Sequence, residues 1–103
     1  MYPKIPLSDP YITKEDAAAV LKALREKRLS QGKYVQEFEK KFADYVQSDF
    51  AVAVCNGTVA LHVALLAVGI RSADEVVVPS FSFVATANCV LYQCGKPVFI
   101  DID

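Results

Sequence analysis

The sequence predicts an α/β fold: a parallel sheet with two helices ahead of it. Before residue 50, apolar side chains recur at helical spacing. After it, three short runs rich in valine, isoleucine and phenylalanine alternate with two helical stretches. Such alternation is typical of parallel strands joined by right-handed helical crossovers. We therefore expect a parallel βαβαβ arrangement preceded by two helices.

Residues 1–49 are predicted to form an extended arm followed by two helices. Three prolines within the first ten residues oppose a helix in the arm. Thr13 is the expected N-cap of a helix over 14–27, with Asp16 three positions later as in a capping box. After a short loop, aromatic and aliphatic residues on one face predict a second helix over 34–47.

Residues 50–103 are predicted to start a second domain, built on the sheet. The three predicted strands are FAVAVC (50–55), EVVVP (75–79) and PVFIDI (97–102). Because these runs lack polar alternation, we expect them to be buried on both faces, with helices over 58–69 and 83–94 between them. The sequence offers no element to close the sheet after its third strand, so we expect the N-terminal piece of a larger protein.

Composition excludes several classes of function. The 103 residues carry 11 basic and 12 acidic side chains, which leaves no basic stripe for a nucleic acid. No apolar run approaches the ~20 residues of a membrane span, and the N-terminus lacks a signal-peptide pattern. Three cysteines without a CxxC pair, beside a single histidine, indicate neither a metal site nor a disulfide framework. We expect a cytoplasmic protein with no metal and no membrane partner.

The first strand-to-helix junction, Asn56-Gly57-Thr58, is a candidate phosphate site. The first N–H groups of a helix have no partners and lie at the positive end of its dipole. Gly57 lets an anion approach the backbone closely, and the Thr58 hydroxyl adds a donor. The alternative is an ordinary turn in which Thr58 serves as the N-cap.

The second strand-to-helix junction, from Val78 to Phe83, places Phe83 at the same edge of the predicted sheet. Ligands of parallel α/β sheets bind outside the carboxyl ends of the strands. A planar ligand with a phosphate would use both junctions, with its ring against Phe83. The alternative is that Phe81 and Phe83 pack beneath the sheet edge. His62, one helical turn after Thr58, is interpreted as a core residue and not as a catalytic one.

Several consecutive motifs resemble the DegT/DnrJ/EryC1/StrS aminotransferases. They are IPLSDPYIT, LSQGKYVQEFEKKFADYV and the run from CNGTVALH to PVFIDID. The resemblance implies the N-terminal part of an aspartate-aminotransferase-like large domain, of pyridoxal-phosphate fold type I. It also implies pyridoxal 5′-phosphate as cofactor, a nucleotide-linked keto sugar as substrate, glutamate as amino donor, and a homodimer.

The resemblance also implies roles for single residues. Gly57 and Thr58, with the amide of Val59, would bind the cofactor phosphate, and Phe83 would stack on the pyridine ring. The loop Ser30–Lys33 would lie near the mouth of the active site. Asn56 departs from the family pattern, in which serine is commoner.

No catalytic residue is assigned within the chain. By resemblance, the lysine that forms the Schiff base with the cofactor and the acidic partner of the pyridine nitrogen both follow residue 103. We therefore expect the 103-residue chain alone to be inactive. Some family members replace this lysine with histidine and act as sugar dehydratases, so three interpretations stay open: aminotransferase, dehydratase, or a truncated chain without activity. A dinucleotide-binding module is disfavoured because the junction lacks GxGxxG.

Overall fold

The computed structural model describes residues 4–6, 8–27 and 29–102. Its elements are α1 (Lys14–Arg25), α2 (Lys33–Val46), α3 (Gly57–Ala67), β1 (Glu75–Pro79), α4 (Ala85–Tyr92) and β2 (Lys96–Ile100). The four predicted helices are confirmed, within two residues at every end. The described part of the N-terminal arm has no regular secondary structure, and residues 1–3 and 7 lie outside the description.

The chain divides into two compact units, with the boundary between Phe38 and Glu39. The sequence-based boundary between residues 49 and 50 stays a prediction about domain organisation. In the first unit, α1 begins with the predicted capping box. The Thr13 hydroxyl accepts a hydrogen bond from the Asp16 N–H at 3.2 Å, and the Asp16 carboxylate accepts one from the Thr13 N–H at 2.8 Å. These two bonds satisfy N–H groups that a helix start otherwise leaves unpaired.

The predicted strand FAVAVC is wrong, because its segment has irregular structure. In the described chain β1 and β2 pair with each other, and the Ala53 N–H donates instead to the Glu39 carboxylate at 2.8 Å. Phe50 and Val52 are 86% and 77% exposed. A run of β-branched and aromatic residues favours a strand, but only a hydrogen-bonded neighbour makes it one.

The second unit contains a βαβ motif in which β1 and β2 are parallel, as predicted. Their register pairs Glu75 with Lys96 at one end and Pro79 with Ile100 at the other. The core between this sheet and α4 contains three buried residues with two partly buried neighbours: Val78, Cys89, Val90, Leu65 and Val76. Burial on both faces is wrong for the described sheet. Val77 is 61% exposed, so α4 covers only the face that Val78 occupies.

Helix α3 packs against α4, and both helices lie in the second unit. His62 of α3 meets the Tyr92 ring of α4 edge-on, with centroids 5.4 Å apart. The histidine is therefore half-buried between helices, in line with its interpretation as a packing residue. Within the described ranges, none of the helices combines the length and apolarity needed to cross a bilayer.

Candidate functional site

The N-cap of α3 is Asn56. Its backbone is extended (φ −166°, ψ 171°), and its Oδ1 accepts a hydrogen bond from the Val59 N–H at 3.0 Å. The Asn56 carbonyl accepts the first intrahelical bond, from the Ala60 N–H. Asparagine is among the strongest N-cap residues, and its position fixes where the helix starts. The alternative that Thr58 serves as the cap is wrong: Thr58 is the second residue inside the helix.

This cap leaves the two leading amides of α3 available. Neither the Gly57 N–H nor the Thr58 N–H donates a hydrogen bond within the described chain, and the Thr58 hydroxyl makes none there either. The Val59 amide, which the resemblance assigns to the phosphate, is already held by Asn56. An anion at this turn would therefore meet two backbone donors, one hydroxyl and the positive end of the helix dipole.

Gly57 is not required by the protein's own packing. A Cβ built at this position meets no atom within 4 Å, and its φ does not lie in the left-handed region. The space beside the backbone is therefore open to an incoming ligand. Glycine at a helix start costs conformational entropy that alanine would not, so an open approach to the backbone is the physical benefit it offers here.

Three of the four sequence-predicted site residues line a single pocket of about 490 Å³: Gly57, Thr58 and Phe83. The other lining residues are uncharged as well: Ala60, Leu61, Ala85 and Thr86. Phe83 is 75% exposed, so the alternative that its ring packs beneath the sheet edge is wrong; Phe81 is 89% exposed. Val59 does not line the pocket.

Thr86 reaches this pocket from α4, and sequence analysis missed it. Its N–H donates to the Phe83 carbonyl at 2.9 Å, which ties the start of α4 to the aromatic residue. Its hydroxyl oxygen lies 2.8 Å from that of Ser82. The available signal was the four-residue spacing between Ser82 and Thr86, which suits two hydroxyls on one face of a helical turn.

The loop predicted to lie at the active-site mouth borders a separate pocket of about 230 Å³ in the first unit. There the Glu26 carboxylate pairs with the Lys33 ammonium at 2.7 Å and accepts a hydrogen bond from the Tyr34 hydroxyl at 2.9 Å. These two donors hold the pKa of Glu26 below its usual value. The same contact raises the pKa of Lys33. The placement of Ser30–Lys33 relative to a bound ligand stays a prediction.

The pocket at α3 fits a planar molecule that carries a phosphate. The free amides of Gly57 and Thr58 and the open space beside Gly57 suit the anion. The exposed ring of Phe83 suits the planar part. Because no lining residue is charged, the helix dipole and the hydrogen-bond donors are what this pocket itself offers to a dianion.

Comparison with known proteins identifies the family. GDP-perosamine synthase of Escherichia coli O157:H7 is 42% identical over 100 residues, which are 96% of this chain and 28% of that protein. The PLP form of Spr1654 from Streptococcus pneumoniae has a TM-score of 0.87 and 29% identity, covering 96% of this chain and 25% of that one.

A third match is GDP-4-keto-6-deoxymannose-3-dehydratase with a trapped PLP-glutamate geminal diamine, at a TM-score of 0.86 and 26% identity. It covers 97% of this chain and 28% of that one. The chain thus spans about a quarter of the length of these proteins. The two solved proteins have the predicted fold, and the structures of both contain pyridoxal phosphate. The profile of the DegT/DnrJ/EryC1/StrS aminotransferase family matches residues 10–103, and the chain belongs to that family.

Proposed function

We propose that the whole protein containing this chain is a pyridoxal-phosphate-dependent aminotransferase. Its acceptor is a nucleotide-linked keto sugar, its amino donor is glutamate, and it acts as a homodimer. The observation that carries the proposal is the shared pocket of Gly57, Thr58 and Phe83, in a chain of this family. A similar protein whose name states that it makes a GDP-linked sugar supports the substrate class.

In this proposal the chain's own residues bind and orient the cofactor. The amides of Gly57 and Thr58, with the Thr58 hydroxyl, hold the phosphate, and the Phe83 ring lies against the pyridine. When bound, pyridoxal phosphate would supply an electron sink and would carry the amino group from a donor to a keto acceptor. Holding the phosphate and the ring at two separate points fixes the orientation of the molecule, which is a precondition for chemistry at its reactive carbon.

The Val59 amide has a different role here from the direct phosphate contact that the resemblance implies. Because Asn56 accepts its N–H, Val59 contributes to the phosphate site by holding the turn in shape and not by direct contact. A phosphate that came close enough to compete with Asn56 Oδ1 would have to break the cap. The amides of Gly57 and Thr58 can bind a phosphate without breaking a hydrogen bond of the described chain.

A sugar dehydratase is the second candidate. The dehydratase neighbour has nearly the same TM-score as the other solved match, and both proteins cover this part of the fold. Both activities would use the same phosphate turn and the same ring contact, since both need the cofactor in one orientation. We favour the aminotransferase because the family to which the chain belongs is described as an aminotransferase family.

The test is incubation of the purified whole protein with pyridoxal phosphate, glutamate carrying labelled nitrogen, and a GDP-linked 4-keto sugar. We expect labelled nitrogen in the sugar product and an equivalent amount of 2-oxoglutarate. A product that has lost a hydroxyl oxygen but carries no label would identify the dehydratase. Absence of pyridoxal phosphate binding by the protein would contradict both candidates.

A further inference from the structure

The hydroxyl pair of Ser82 and Thr86 lies beside the cofactor pocket, and the family match assigns it no role. Thr86 is half-buried and lines the pocket together with Gly57, Thr58 and Phe83. Apart from Thr58, it is the lining residue that carries a side-chain polar group. A pocket that is otherwise apolar gives such a group a strong influence on how a polar ligand lies in it.

The hydrogen bonds of this pair are incomplete. Two hydroxyls carry two protons, and the 2.8 Å contact between Ser82 Oγ and Thr86 Oγ1 uses one of them. The Thr86 hydroxyl has no bond to a backbone carbonyl in the described chain, although such a carbonyl is the usual partner of a helical threonine. When Ser82 donates to Thr86, the Thr86 proton is left for another acceptor.

A backbone hydrogen bond links Thr86 to Phe83. The Thr86 N–H is bonded to the Phe83 carbonyl at 2.9 Å, so the hydroxyl and the aromatic ring belong to one tight turn. Phe83 and Thr86 therefore lie in one turn and line the same pocket. Thr58 offers the corresponding hydroxyl from α3, so the pocket has one hydroxyl on each of two helices.

We propose that Thr86 donates a hydrogen bond to an anionic oxygen of the bound cofactor, with Ser82 as the positioning residue that orients it. This inference rests on the proposed function, since it takes pyridoxal phosphate as the ligand. The oxygen belongs either to the phosphate or to the ring hydroxyl. An anionic acceptor favours the arrangement in which Ser82 donates and Thr86 presents its proton to the ligand.

The experiment measures pyridoxal phosphate binding to the purified protein by equilibrium titration of its absorbance. Thr86→Val keeps the shape of the side chain and removes the hydroxyl, and Thr86→Ser restores the hydroxyl. We expect the dissociation constant to rise about tenfold or more in the valine variant, as for loss of one hydrogen bond to a charged acceptor. The serine variant should stay within about threefold of wild type, and Ser82→Ala should fall between the two.

A control variant and two further ligands show whether the effect is specific and which cofactor oxygen accepts the hydrogen bond. Ser72→Ala, which removes an exposed hydroxyl from the turn before β1 and outside the pocket lining, is the matched control and should bind as wild type does. Pyridoxal without its phosphate, and inorganic phosphate as a competitor, show which oxygen is bound. If Thr86→Val weakens pyridoxal binding, the ring hydroxyl is the acceptor. If it weakens only inorganic phosphate and pyridoxal phosphate, the phosphate is the acceptor.

Two results would overturn the inference. One is wild-type affinity of the Thr86→Val variant for pyridoxal phosphate. The other is equal loss of affinity in Thr86→Val and Thr86→Ser, which would indicate a role in shape alone. The proposed function has its own readout in this experiment, because it fails if the wild-type protein does not bind pyridoxal phosphate. The inference about Thr86 is judged by the ratio of variant to wild-type affinity.

Discussion

The Asn56 side chain accepts a hydrogen bond from the Val59 N–H at 3.0 Å, and this contact decides which amides of α3 remain free. The capped amide is the third of the helix. The first two, of Gly57 and Thr58, are left without partners in the described chain. In the proposed phosphate site, Asn56 would therefore shape the turn without supplying a donor to the ligand.

Asn56 variants should separate helix stability from anion binding. Asn56→Ala removes the cap and should lower the free energy of unfolding by about 1 kcal/mol. Asn56→Asp keeps the cap but adds a negative charge beside the phosphate, so cofactor affinity should fall while stability is retained. Chemical denaturation and pyridoxal phosphate titration measure the two effects. Equal behaviour of the two variants in both assays would contradict the assignment.

Gly95 should tolerate alanine poorly, for reasons of space. A Cβ at this position would lie 3.0 Å from Val90 Cγ1 and 3.2 Å from the Val90 carbonyl oxygen. Val90 is 1% exposed and cannot move outward easily, so Gly95→Ala should destabilise the protein by about 1–3 kcal/mol. Gly57→Ala is the matched control, because its Cβ meets nothing within 4 Å. Similar unfolding midpoints for the two variants would show that the packing at Gly95 is looser than described.

The contact of Glu26 with Lys33 and Tyr34 should make stability depend on acid pH. The hydrogen bonds from Lys33 and Tyr34 lower the folded-state pKa of Glu26. Their stabilisation is thus present above the unfolded-state pKa, whose ordinary value is 4.5, and is lost as pH falls through the folded-state pKa. Glu26→Gln should flatten this part of the stability curve. Glu15→Gln, in the first turn of α1, is the control.

The pH dependence of the stabilisation has the opposite sign for Lys33. Its pKa is raised by Glu26, so its contribution is present below the ordinary value of 10.5 and is lost as pH rises through the folded-state pKa. Because all three groups are accessible to solvent, the effect should be small and should weaken with added salt. An acid limb of the stability curve that is the same in Glu26→Gln and wild type would contradict the predicted coupling.

Phe83→Ala should loosen the ring of the cofactor and leave its phosphate anchored. The exposed Phe83 ring has no large share in the protein's own packing, so the folded state should survive its loss. Stacking contributes about 0.5–1.5 kcal/mol beyond the buried area, which corresponds to a loss of roughly 2- to 13-fold in affinity. Pyridoxal phosphate titration measures the loss, and Phe81→Ala, outside the pocket lining, is the control. Equal losses in the two variants would contradict the stacking role.

Sequence reasoning located the helices and the βαβ motif because their signals are local. The side chains of Thr13 and Asp16 form a capping box, so the residue types themselves indicate where α1 starts. The EVVVP strand was predicted with the bounds that β1 has. The FAVAVC strand failed because strand formation depends on a hydrogen-bonded neighbour, which composition does not report.

The candidate site shows the same difference between features with a local sequence signal and features that depend on contacts in the fold. Gly57, Thr58 and Phe83 were predicted from the two strand-to-helix junctions and line one pocket, while their role in binding a cofactor stays a prediction. The cap at Asn56 was missed because Asn56 and Thr58 are both good N-cap residues, and a shift of two positions cannot be decided from residue type alone. Thr86 was missed because its value comes from its contacts with Phe83 and Ser82 in three dimensions.

The central claim is that the start of α3 holds the phosphate of pyridoxal phosphate. Thr58→Glu beside Thr58→Gln is the most direct test, since the two side chains have nearly the same size and differ in charge. The account predicts that the glutamate variant binds pyridoxal phosphate at least about tenfold more weakly than the glutamine variant, because the carboxylate repels the phosphate. Equal affinity of the two variants would contradict it, and the turn at Asn56 would then serve only to start a helix.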